Sequence, residues 1–203
     1  MKLAKRIARL LNAKHIIIDS NELENKYFRN NPLNRCFYCK VELFEKLKKI
    51  AQEKGYIVIE ASNYSDLNDF RPGLKAARKL GVVSPLIEAK LKKDEIRYFA
   101  RQYKLPNWNK PSMACLASRI PYGIEINRKI LKRVGKGEYF LKKLKFSQCR
   151  LRDHFPVARI EIMEDEIERL IKNRKKIIKY FKSIGYKYIT LDLEGYRTGS
   201  MNL

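Results

Sequence analysis

Stretches of helical period alternate with short runs of β-branched and aromatic residues, and this order most constrains the fold. Leu3, Ile7, Leu10 and Leu11 recur at helical spacing. His15-Ile16-Ile17-Ile18-Asp19 follows as a compact apolar run that reads as a buried strand. Residues 21–29 read as helix, and residues 30–35, with Pro32, as a loop that delivers Cys36 and Cys39. Val41, Leu43, Phe44, Leu47 and Ile50 mark a long helix ending near Gly55, and residues 56–61 read as a second apolar strand. Strands separated by helices pair in parallel, so an α/β layer is expected. Helix 74–80 stops at Gly81, residues 82–86 form a short strand, and 93–104 form another helix.

Two polar segments interrupt this pattern. Residues 62–73 lie at the carboxyl end of an expected parallel strand, where open α/β sheets usually bind ligands. Residues 105–123 form a long loop holding Trp108, Cys115 and Arg119, and loops of that length in a compact chain are usually functional. The remainder reads as a smaller α+β unit. It has a helix over 126–145, a hairpin of strands 148–153 and 157–162 around Pro156, a helix marked by Ile167, Leu170, Ile171, Ile178 and Phe181, and a closing strand over 186–193. The expected division is therefore 1–123 and 124–203.

The 203 residues are 45% hydrophobic, enough for one sizeable core or a domain with a smaller appendage. No apolar run approaches membrane-spanning length and no charged-then-apolar leader opens the chain, so a soluble cytoplasmic protein without membrane partners is expected. The net charge of +23 attracts polyanions. Yet the lysines are spread over nearly every helix, as suits a protein from a hot organism, and no RNA-binding signature accompanies them. Nucleic acid is thus the less favoured partner.

Three cysteines carry the most chemistry. Cys36-Phe37-Tyr38-Cys39 is a C-x2-C pair, and Cys115 stands alone in the long loop. Such a set suits a cubane iron–sulfur cluster bound through three irons, a zinc site short of a ligand, or a redox dithiol, and spacing alone leaves these open beside unligated thiols. Cys149 alternates with Arg150 and Arg152 along its strand, which makes it a small core residue. Arg150 and Arg152 share the other face, and Arg159 can join them from the partner strand as an anion site unless Glu161 compensates them. Arg71 and Arg119 sit in loops near Pro and Gly. Asp66 and Asp69 suit a metal, a ribose or a cap on helix 74–80. His15, at a strand edge, reads as structural, and His154 as a solvated turn residue. Trp108 packs under the long loop or stacks on a base.

Several runs together resemble one family. They are Asn34-Arg35-Cys36-x-x-Cys39-Lys40, Asp66-x-x-Asp69-Phe70-Arg71-Pro72-Gly73, Lys110-Pro111 through Cys115-Leu116-Ala117-Ser118-Arg119-Ile120-Pro121-Tyr122-Gly123, Arg150-x-Arg152, Ala158-Arg159-Ile160-Glu161, and the terminal Leu191-Asp192-x-Glu194-Gly195-Tyr196-Arg197-x-Gly199-Ser200-Met201-Asn202. They resemble the LarE-type ATP-dependent sulfur transferases of the PP-loop ATP pyrophosphatase superfamily, over nearly the whole chain.

The resemblance implies a PP-loop parallel sheet layer followed by a smaller α+β unit that binds substrate or mediates oligomerisation. It implies ATP and Mg2+ as cosubstrates, adenylylation of a carboxylate on a nicotinate-derived mononucleotide, and replacement of the carboxyl oxygen by sulfur on the way to the nickel-pincer cofactor. In single-cysteine members the residue matching Cys115 gives up its own sulfur. The three-cysteine type implies a 4Fe–4S cluster on Cys36, Cys39 and Cys115. It further implies Glu138 with Cys115 in the sulfur-transfer cleft, Asp66 and Asp69 in cofactor binding, and Arg71, Arg119, Arg150, Arg152 and Arg159 around substrate phosphate. The family's first strand and its Ser-Gly-Gly-x-Asp-Ser phosphate loop are not found in the 203 residues. The expectation is an N-terminally truncated member with impaired ATP chemistry, or one whose phosphate loop comes from a separate chain. A homo-oligomer fits as well. The competing readings are a tRNA-thiolating, RNA-binding relative and a non-catalytic iron–sulfur or zinc fragment.

Overall fold

A computed structural model describes residues 2–111 and 113–197. Its helices are α1 (Lys2–Leu10), α2 (Lys26–Arg29), α3 (Arg35–Gln52), α4 (Pro72–Lys79), α5 (Pro85–Glu88), α6 (Lys93–Gln102), α7 (Arg128–Lys143), α8 (Ile167–Lys172) and α9 (Arg174–Ser183). Its strands are β1 (Cys149–His154), β2 (Val157–Ile162) and β3 (Tyr188–Leu191). The protein is thus mixed α/β. Backbone packing divides it into one unit of Met1–Phe28 with Leu33–Met113 and a second of Arg29–Pro32 with Ala114–Leu203.

The first unit is built on α3 and α4. Phe37, Val41, Phe44 and Leu47 follow one another at helical spacing along α3 and meet Ala76 and Ala77 of α4, with Val82 and Leu80 beside them. Alanines on α4 let the two backbones approach around Phe44. Both helices stop in the same way. Gly55 and Gly81 adopt positive φ, the Tyr56 N–H bonds the Ala51 carbonyl at 2.8 Å, and the Val82 N–H bonds the Ala77 carbonyl at 2.9 Å.

The sheet of this unit is sparser than the sequence suggests. The expected strands at 56–61 and 82–86 reduce to a single parallel bridge, Ile59 with Val83, and residues 85–88 turn into α5. The expected buried strand at His15–Asp19 does not form, and Ile16 and Ile17 are more than half exposed. β-branched residues favour extended backbone, but a strand needs a ladder partner for its N–H and C=O groups. Among the described residues no strand pairs with 15–19.

The second unit matches expectation more closely. β1 and β2 form an antiparallel hairpin closed at Phe155 and a cis Pro156, and β3 adds in parallel to β2, giving the order β1-β2-β3. Cys149, Leu151, Ala158, Ile160 and Ile162 share one sheet face and pack with Leu141, Ile177, Phe181 and Tyr186. Contact with α7 is close at Gly137, where a Cβ would lie 2.2 Å from Leu151 Cδ2 and 3.4 Å from Phe181. The segment 29–32 joins this unit through Asn31. Asn31 is buried at positive φ, and its amide donates to the carbonyls of Ile120, Pro121 and Ile124 at 3.3, 2.7 and 3.1 Å.

Candidate functional site

Cys36 and Cys39 are not carried by a loop. α3 begins at Arg35, so the two thiols sit one turn apart in its first two turns. At this end the helix dipole favours negative charge, and residues three apart share a face. Cys36 is exposed and Cys39 half-buried, and neither is in a disulfide. Gly73, from the start of α4, lies against this turn: a Cβ there would fall 3.1 Å from the Lys40 side chain and 3.8 Å from the Cys36 carbonyl.

In the same unit, Asp66 closes the 3-10 turn Tyr64–Asn68 rather than capping α4. Its Oδ2 accepts the Asn63 N–H at 3.0 Å, and its Oδ1 lies 2.7 Å from Arg71 Nη2, which also reaches Asp69 at 3.4 Å. Beside this turn Glu60 accepts hydroxyl bonds from Ser62 and Ser84, each at 2.7 Å. These groups stand at the carboxyl end of the Ile59–Val83 parallel bridge, the place expected for a ligand in an α/β layer.

In the second unit, Cys115 leads into the 3-10 turn Leu116–Arg119 with an exposed side chain. The backbone around it is tied down from below. Arg119 is 2% exposed, and its Nε and Nη2 donate to Glu138 of α7 at 2.6 and 3.3 Å. Its Nη1 donates to the carbonyls of Ala114 and Cys115 at 3.2 and 3.1 Å and to Ser118 Oγ at 2.7 Å. Glu138 also accepts the Leu151 N–H at 3.2 Å, which joins α7 to β1.

The arginine face of the sheet covers the same turn. Register places Arg150 opposite Glu161 and Arg152 opposite Arg159, so all four share one face, as the alternation predicted. Glu161 is fully buried and takes both arms of Arg152, at 2.7 and 2.9 Å, together with Arg159 Nη2 at 3.2 Å. The third donor of Arg152, Nη1, bonds the Ser118 carbonyl at 2.7 Å. Arg150 donates to the Cys149 carbonyl at 2.9 Å and to the Tyr196 hydroxyl at 3.1 Å, with its guanidinium over the Tyr196 ring. The compensation by Glu161 anticipated from the sequence is present. Residues Thr198 to Asn202 of the terminal run lie outside the described residues.

Sequence reasoning missed a third buried ion pair. Asp153 accepts both arms of Arg133 at 2.8 and 2.9 Å and the Tyr186 hydroxyl at 2.9 Å. Burial, then the Asp153 charge, pushes the Tyr186 phenol well above its usual range. Cys149 is fully buried as expected. Burial, with the Glu138 charge beside it, pushes its thiol up to about 11. That keeps Cys149 neutral and unsuited to ligation. His15 is exposed and not part of a strand, and Trp108 is 38% exposed under the Arg101 guanidinium.

Among the described residues no group of three or more Cys, His, Asp or Glu side chains lies around a common point. The donor chemistry of Cys36, Cys39 and Cys115, three soft thiols of which two are exposed, is of the kind an iron–sulfur cluster takes. Among the described residues no helix is long and apolar enough to cross a membrane.

No family model matches the chain. It is 39% identical over 198 residues to an uncharacterized protein of Synechocystis, covering 96% of this chain and 74% of that protein. It is 35% identical over 181 residues to the pyridinium-3,5-bisthiocarboxylic acid mononucleotide synthase of Lactiplantibacillus plantarum, covering 89% and 66%. It is 35% identical over 189 residues to an uncharacterized protein of Methanocaldococcus jannaschii, covering 93% and 71%. The chain therefore spans about two thirds to three quarters of the length of these relatives. With that identity and coverage, the chain belongs to the LarE-type family.

Proposed function

We propose that this chain transfers sulfur to an adenylylated carboxylate of a nicotinate-derived mononucleotide in synthesis of the nickel-pincer cofactor. The observation that carries the reading is Cys115 itself: an exposed thiol on a turn whose carbonyls are held by a buried guanidinium–carboxylate pair. In the step, a sulfur nucleophile adds to the acyl carbon, a C–S bond forms, the C–O bond to phosphate breaks and AMP leaves with the electron pair. Cys36, Cys39 and Cys115 would hold a 4Fe–4S cluster, which when bound supplies an iron free of protein ligands as the carrier of the transferred sulfur.

Arg150 and Arg159 would meet substrate phosphate from the arginine face, Arg159 with its side chain about a third exposed. Arg71 and the Asp66–Asp69 turn would serve nucleotide and Mg2+ at the carboxyl end of the parallel bridge. A Ser-Gly-Gly-x-Asp-Ser phosphate loop would have to come from outside these 203 residues for adenylylation to proceed.

The test is anaerobic incubation of the sulfide-loaded chain with preformed adenylylated substrate, followed by mass spectrometry of the nucleotide. The expected product has one oxygen replaced by sulfur. An unchanged nucleotide, or sulfur transfer that persists in Cys115→Ala, contradicts the reading. The +23 charge favours RNA binding as the second reading. Specific capture of tRNA that Cys115-dependent thiolation then modifies would establish it instead.

A further inference from the structure

We infer that Arg119 and Arg152 are positioning residues that set the placement of Cys115, with Glu138 and Glu161 acting through them. The inference rests on the reading of Cys115 as the residue at the point of sulfur transfer.

Four observations converge on it. The Cys115 carbonyl receives three donors: the Ser118 N–H at 3.1 Å, the Ser118 hydroxyl at 2.8 Å and Arg119 Nη1 at 3.1 Å. Arg119 Nη1 is in turn aimed by the bidentate hold of Glu138 on the other two nitrogens. Arg152 pins the far end of the turn through the Ser118 carbonyl and is itself aimed by Glu161. Arg119, Arg152, Glu138 and Glu161 are each at most 5% exposed, whereas Cys115 is exposed.

Buried charge is costly to keep, and surface turns normally form without it. Here two guanidiniums are spent on main-chain carbonyls of a six-residue segment. A planar fork fixes direction as well as charge, which a lysine cannot do. Anchoring to α7 and β1 ties the thiol to rigid elements, as precise group transfer demands.

The test uses the full chain with Cys36→Ser and Cys39→Ser, so that a nitroxide label attaches to Cys115 while Cys149 stays buried. The expected spectrum is motionally restricted. Arg119→Lys and the milder Ser118→Ala shift it toward the mobile limit. Arg133→Lys, which breaks the Asp153 pair in the same unit without touching residues 114–119, lowers Tm but leaves the spectrum unchanged. An unchanged spectrum in Arg119→Lys and Ser118→Ala, or equal mobilisation by Arg133→Lys, overturns the inference. In the unlabelled chain with its cysteines intact, Arg119→Lys lowers kcat for sulfur transfer by about 100-fold with KM unchanged, the loss expected for a misplacement of about 1 Å. An unchanged kcat beside a mobile label also overturns it. If the parent chain transfers no sulfur, the functional reading fails, and the label comparison decides the positioning role by itself.

Discussion

Replacing Glu161 by Ala removes the acceptor of three guanidinium bonds at once. Those from Arg152 are 2.7 and 2.9 Å long, and that from Arg159 is 3.2 Å. Arg152 keeps its bond to the Ser118 carbonyl but loses the buried carboxylate that balances its charge. Breaking a buried pair from one side costs about 3–5 kcal/mol, because an uncompensated charge stays in a poorly solvated site. For a chain of 203 residues each kcal/mol moves Tm by about 2–4 °C, so Glu161→Ala lowers Tm by at least about 6 °C. Removing both partners tells a different story. Glu161→Leu combined with Arg152→Met removes the buried Arg152 charge too, while Arg159, about a third exposed, keeps Asp192 at 3.7 Å, so most of the loss is recovered. The assay is urea unfolding of the full chain followed by circular dichroism, run as a double-mutant cycle. A cost below about 1 kcal/mol for Glu161→Ala, the value of a surface pair, would refute the burial argument.

Three further outcomes follow from the same geometry. Gly137→Ala forces a methyl into the space of Leu151 Cδ2, and the overpacking costs about 1–3 kcal/mol in denaturant midpoint at unchanged slope. In native protein at neutral pH, iodoacetamide modifies Cys36 and Cys115 but spares Cys149, as peptide mapping can check. The pH dependence has a definite sign. The folded Cys149 thiol is raised from 9.0 to about 11, so its contribution to stability is complete below pH 9 and is lost as pH rises through 11. Tyr186 is shifted the same way, so stability should fall on the alkaline side, and less steeply in Cys149→Ala with Tyr186→Phe.

Local periodicity made the helices legible. The Phe37, Val41, Phe44 and Leu47 spacing already extends α3 back to between the two cysteines, and reading from Val41 alone hid that start. Asn34 offers no side-chain cap bond to mark it. The alternation along β1 separated Cys149 from Arg150 and Arg152 correctly, because a strand between two covered faces obeys period two whatever covers them. Runs such as Ile16-Ile17-Ile18 mislead for the opposite reason: their extended preference is local, but ladder bonds are not. Asn31 escaped notice, since its three carbonyl partners lie some ninety residues away in sequence. The Asn31-Pro32 pair is the signal that was present, because Asn takes positive φ more readily than other residues with a side chain. The choice of Glu138 by Arg119, and of Asp153 by Arg133, depends on how α7 lies on β1, and no pattern in one dimension encodes that.

The ligand set is tested most directly by anaerobic reconstitution with iron and sulfide, read by iron content and visible absorbance in four variants. The account predicts that Cys36→Ala, Cys39→Ala and Cys115→Ala each lose the cluster, while Cys149→Ala retains it. Retention in Cys115→Ala, or loss in Cys149→Ala equal to the others, would contradict it.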